Sequence, residues 1–216
     1  MDHWSVADRD EFTQKFDESA RAIRASLEAS GAWASASPDE TAFFNARITE
    51  RTQQQCIDSS WLVESIACCL WAINVVPQLP AYDTEAEHGL MKLLPPAGTP
   101  LSLRSKAELD RERSIAELWH WRSRTRQLVE SGRPVPLPKD LTLDQVVRLT
   151  ARAAAEKGDI PEPKDGDFPA FGKPYRDLSA EEYSRATSIA MERHKALNWI
   201  CGMAPQNQWH LTPTDT

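Results

Sequence analysis

Apolar residues recur at helical spacing along most of this chain, and no segment alternates apolar and polar positions long enough to mark a strand. Phe12, Phe16, Ala20, Ile23 and Leu27 predict a helix over about 6–30, with Gly31 as its stop. The Ala/Ser-rich stretch 32–37 reads as a linker. Ser37-Pro38-Asp39-Glu40 is then a helix start: a hydroxyl cap, a proline at the first position and two acids facing the positive end of the dipole. That second helix is expected to reach about Gln55.

From Trp61 to Val76 only Glu64, Ser65 and Asn74 interrupt the apolar run, which predicts a central helix covered on nearly every side and ended by Pro77 and Pro80. A short helix is expected around Glu85–Leu94. Residues 103–130 form a long charged helix with Leu103, Ala107, Ile115, Leu118, Trp119 and Val129 as its apolar positions, closed by Gly132 and Pro134. Another helix, 142–157, carries Val146, Val147, Leu149 and Ala153. Ser179-Ala180-Glu181-Glu182 is a capping box opening a last helix, 180–201. The expected architecture is all-α: a helical segment and linker over 1–36, then one multi-helix domain over 37–216 built around the 61–76 helix.

A length of 216 residues suits that organisation, and eight tryptophans supply large packing units for its core. A formal charge of −7 argues against a nucleic-acid partner and fits either simple solubility or a basic protein partner. No apolar run is long enough to span a bilayer, so no membrane partner is expected. The opening Met1-Asp2-His3-Trp4 lacks the marks of a secretory signal. Cys68, Cys69 and Cys201 lie in apolar helical stretches and read as small core residues; no Cys-x-x-Cys spacing suggests zinc. The reading is a reduced, cytoplasmic protein with no expected cofactor or metal; its oligomeric state is not legible.

The richest stretch is Glu192-Arg193-His194-Lys195-Ala196-Leu197-Asn198-Trp199-Ile200. Together with Trp61-Leu62-Val63-Glu64 and Leu70-Trp71-Ala72-Ile73, Leu118-Trp119-His120-Trp121 with Arg124, and Trp209 with Asp215-Thr216, it resembles the bacterial family known as domain of unknown function 4272. The resemblance runs from about residue 40 to the C-terminus and leaves 1–39 outside. It implies a mostly helical, soluble protein and carries no activity. The chain departs from the family pattern at Leu118 and His210.

Glu64 sits in an otherwise apolar helix, and a buried carboxylate needs a partner; Arg124 and Arg193 are the candidates. His120 shares a helix face with Arg124, and His194 with Asn198. If these faces meet at Glu64, with Glu192 nearby, they form either a satisfied hydrogen-bond network or a proton-moving site with Glu64, His120, Glu192 and His194 as catalytic candidates. Trp199 reads as a core residue. Glu117–His120 and Glu85–His88 share the Glu-x-x-His spacing of helical di-iron sites, but the second follows two prolines, and a metal site is not the preferred reading. The proline-rich stretch 159–177 carries Phe168, Phe171 and Tyr175, which serve either as anchors for a partner or as side chains tucked against the helices. The favoured function is a non-catalytic protein-binding or inhibitor module. A small-molecule enzyme using the Glu/His/Arg cluster is the alternative.

Overall fold

The computed structural model describes residues 6–96 and 98–216; the opening Met1-Asp2-His3-Trp4 lies outside them. The all-α expectation holds. Among the described residues six α-helices run α1 (Val6–Ala29), α2 (Pro38–Asn45), α3 (Gln53–Ala72), α4 (Lys106–Glu130), α5 (Leu143–Glu156) and α6 (Ala180–Ile200). One two-residue antiparallel pair, β1 (Pro169–Ala170) and β2 (Lys173–Pro174), lies in the stretch before α6. No helix among the described residues is long and apolar enough to cross a membrane. Contacts divide the chain into two units, the first ending at Ser60 and taking in residues near 96–98 and 208–210, the second holding the rest.

In the first unit, α1 ends where Gly31 turns left-handed at φ 78°. The helix expected from 38 to 55 is two helices. Its start is as read, with Ser37 Oγ accepting from the Glu40 N–H and the Glu40 carboxylate accepting from the Ser37 N–H. The backbone turns extended at Ala46 and Arg47, where Asp17 of α1 accepts from Arg47 Nε and the Ile48 N–H at 3.3 and 3.1 Å. A second capping box, Thr52 with Gln55, then opens α3. These later start signals divide the stretch.

The second unit contains the apolar part of α3, and its burial is as expected: Ala67, Cys68, Leu70 and Ala72 are buried. The end of α3 differs from expectation. It stops at Ala72, before either proline, because Asn74 adopts a left-handed turn (φ 62°) and Val75 N–H returns to Leu70 C=O. Arg104 then caps this end, donating to Trp71, Val76 and Pro77 carbonyls. The segment expected as a short α-helix near 85–94 is a tighter 3₁₀ turn over His88–Leu93. Leu103 lies outside α4 and is exposed, since Ser105 and Glu108 form the capping box that sets the start.

Two long helices of the second unit pair most closely: α4 lies along α6, and the Ser123 and Thr187 hydroxyls bond across them at 2.7 Å. Beside this pair Tyr82 stacks on Trp119 at 5.1 Å, and Phe168 meets the other indole edge. Along this pair His120, Arg122, Arg193, His194 and Asn198 are buried among aromatic and apolar neighbours. That is where the candidate site forms.

Candidate functional site

Glu64, from the middle of α3, is fully buried, and Arg193 of α6 is its partner. The Arg193 Nε and Nη2 atoms both lie 2.8 Å from Glu64 Oε2, while Oε1 accepts from the Ala86 N–H at 2.7 Å. The rest of the guanidinium donates to the Pro80, Ala81 and Thr84 carbonyls, and its plane lies 4.9 Å from the Tyr82 ring. Every side of this buried pair is thus hydrogen-bonded, which is what keeps two charges tolerable away from water. It also ties residues 80–86 to the α3–α6 contact. Arg124, the other candidate partner, is half-buried and donates to its helix neighbour Gln127 instead.

One residue further along α6, His194 meets His120 of α4. Their Nδ1 atoms are 2.9 Å apart, and His194 Nε2 lies 2.9 Å from Asn198 Nδ2. The Asn198 amide nitrogen also donates to the Pro213 carbonyl at 2.8 Å, which fixes the amide orientation. An amide N–H facing His194 Nε2 makes that atom an acceptor, so His194 carries its proton on Nδ1 and donates to His120 Nδ1. His120 is then protonated on Nε2. Burial disfavours the charged form of both rings and pushes each down to about 4, with the neighbouring His194 charge and Arg124 adding to the effect at His120 and Arg113 at His194. The Asn198 Oδ1 atom is buried and accepts no hydrogen bond among the described residues.

Glu192 stands at the edge of this region, half-buried, accepting from Ser65 Oγ at 3.1 Å. Trp199 is half-buried and donates its indole N–H to the Asn207 carbonyl, a surface-edge position where a fully enclosed one was expected. The structure therefore brings Glu64 with Arg193 and His120 with His194 and Asn198 as two neighbouring groups on successive residues of α6, and leaves Arg124 and Trp199 aside.

The aromatics of the 159–177 stretch divide. Phe168 and Tyr175 are buried against Trp119, so they are core; Phe171 is half-buried, its N–H donating to Asp83 and its ring 5.4 Å from Arg185. What orders the stretch was missed: Asp167 is buried and takes a two-pronged bond from Arg122 at 2.7 and 2.6 Å, plus the N–H groups of Phe168 and Arg176. Burial alone would raise the Asp167 carboxyl, but Arg122 and the two N–H donors outweigh it and hold it below the usual range. An Arg inside the apolar face of α4 was the available signal, of the same kind that marked Glu64.

Of the two Glu-x-x-His segments only Glu117–His120 lies on an α-helix, and Glu85 is 2.7 Å from Arg185. Among the described residues no group of His, Cys, Asp and Glu converges as metal ligands would. The cavities lie elsewhere. One of about 590 Å³ is lined by Asp10, Asp17 and Arg47 of the first unit. In the second unit, a cleft of about 400 Å³ runs between the end of α3 and the 76–90 segment, walled by Ala67, Val76, Pro77, Leu79 and Leu90, with Glu85 and Glu87 among its lining residues.

A family model described as Domain of unknown function (DUF4272) matches residues 4–150. The match reaches back to residue 4 and ends at 150, so the N-terminal segment expected to fall outside the resemblance lies within it, while the 192–199 block and Trp209 with Asp215-Thr216, expected to carry it, lie beyond the matched residues. No curated protein and no solved structure matches the chain.

Proposed function

We propose that this chain, which belongs to the DUF4272 family, is a protein-binding module without catalysis of its own, acting through the cleft at the end of α3. The observation that carries the reading is the link between the buried ion pair and the cleft wall. Arg193 and Glu64 grip residues 80–86 through the Pro80, Ala81 and Thr84 carbonyls and the Ala86 N–H, and the same segment lines the cleft. A saturated pair of this kind fixes backbone; it offers no free acid or base to a substrate. The imidazoles bond each other and stay neutral, which suits a framework better than a proton relay at neutral pH.

The occupant of the cleft is an apolar side chain of a protein whose neighbouring surface is basic. Leu79 and Leu90 offer the apolar contact, Glu87 is exposed at the rim, and the chain carries a formal charge of −7. An inhibitor of a basic protein is one form of this reading.

A photo-crosslinker placed at Gln78, inside the cleft, tests it against the same group placed at exposed Arg152 on α5. Position 78 should trap one basic protein from the native cell, and Glu87→Lys should abolish the product. If positions 78 and 152 trap the same set of proteins, the module has no such partner there.

A further inference from the structure

A second cavity of the larger unit, about 250 Å³, lies between the end of α4, the start of α5 and the 164–176 stretch. Four arginines line it: Arg122, Arg126, Arg148 and Arg176. Three of them are held by protein acceptors. Arg122 is locked on Asp167; Arg126 donates to the Tyr175 and Leu178 carbonyls and to Glu130; Arg176 donates to the Asp165 carbonyl. Arg148 is different. Among the described residues no hydrogen bond or ion pair holds its guanidinium, which lies over the Gly166 turn. At that left-handed glycine (φ 77°) a Cβ would sit 2.6 Å from Arg148 Nη1, so only glycine admits the arm in this position.

The charges do not cancel. Asp167 faces Arg122 and, at 3.9 Å, Arg176, and Glu130 faces Arg126, so the four arginines exceed the three lining acids, Glu130, Asp144 and Asp167, by one charge. The wall is therefore cationic within an acidic protein. Its size is just below the roughly 300 Å³ at which ligand pockets begin, which limits the occupant to a few carbon atoms.

We infer that this cavity binds the phosphate group of a small phosphorylated metabolite, with Arg148 closing over the anion and Arg176 beside it. The N–H groups of Arg148 and Arg176 suit the three oxygens of a phosphate better than the two of a carboxylate, and Asp144 is placed to accept from a ligand hydroxyl. This site is independent of the cleft proposed for a protein partner.

Calorimetric titration of the full chain with glycerol 3-phosphate, malonate and glycerol at fixed ionic strength tests it. Glycerol 3-phosphate should bind saturably below roughly 10 mM, glycerol should not bind, and malonate should bind at least about tenfold more weakly. Arg148→Gln should weaken the phosphate ester at least about tenfold, and Arg148→Lys less, with thermal unfolding unchanged because the exposed arginine holds no partner. Absence of binding by roughly 10 mM, equal affinity in Arg148→Gln, or equal affinity for malonate would each overturn the inference.

Discussion

His120 and His194 meet through their Nδ1 atoms at 2.9 Å, and the Asn198 amide decides which of the two donates. Because the Pro213 carbonyl claims the amide nitrogen, the proton order runs from Asn198 through His194 to His120. Long-range ¹⁵N–¹H spectra at pH 7 should show His194 protonated on Nδ1 and His120 on Nε2. The reverse assignment would mean that the amide is turned and the chain of donors runs the other way.

The same burial makes stability depend on pH. Both rings have folded values near 4, below the unfolded value of 6.5, so protons favour the unfolded chain between those limits. Stability is full above about pH 6.5 and is lost as pH falls toward 4, with a slope of up to about 2.7 kcal/mol per pH unit for two groups. Urea unfolding at pH 7 and pH 5 checks this. Equal midpoints would show that at least one imidazole is charged in the fold.

Glu64→Ala should cost about 2–5 kcal/mol, since Arg193 would remain buried without its countercharge. The loss should appear locally as well. Amide exchange at Ala86, whose N–H donates to Glu64, should accelerate more than exchange in α5. Uniform acceleration would indicate that the pair holds the fold as a whole and not the 80–86 segment.

Asp167→Ala should cost about 3–5 kcal/mol by stranding buried Arg122. Adding Arg122→Met should recover part of this. Full recovery is not expected, because the Phe168 and Arg176 N–H groups also lose their acceptor. A double variant no more stable than Asp167→Ala would show the two side chains to be uncoupled.

Trp199→Ala would cost about 3–5 kcal/mol at a fully buried position. With the indole half-buried and bonded to the Asn207 carbonyl, a loss of about 1–2 kcal/mol is expected in denaturant titration. A loss above that range would place the ring in the core.

Local chemistry was readable from the chain. Ser37, Ser105, Thr142 and Ser179 each cap a helix through a side-chain oxygen, and Ser179 and Gly202 bracket α6 as their residue types require. Such signals act within one turn, so neighbouring residues contain them whole. The 38–55 stretch is two helices and not one because two later start signals, at Arg47 and Thr52, interrupt it.

Sequence by itself determined that the protein is helical, where most helices begin and end, and that Glu64 cannot be buried alone. Only the tertiary structure decided that its partner is Arg193 and not Arg124, that His120 reaches His194, and that Phe168 and Tyr175 are core. The reason is range. A cap is closed by atoms three residues away, whereas Glu64 and Arg193 are 129 residues apart and meet only through the rotation of one helix against another. That rotation is set by all the side chains between the helices at once, and no short segment encodes it.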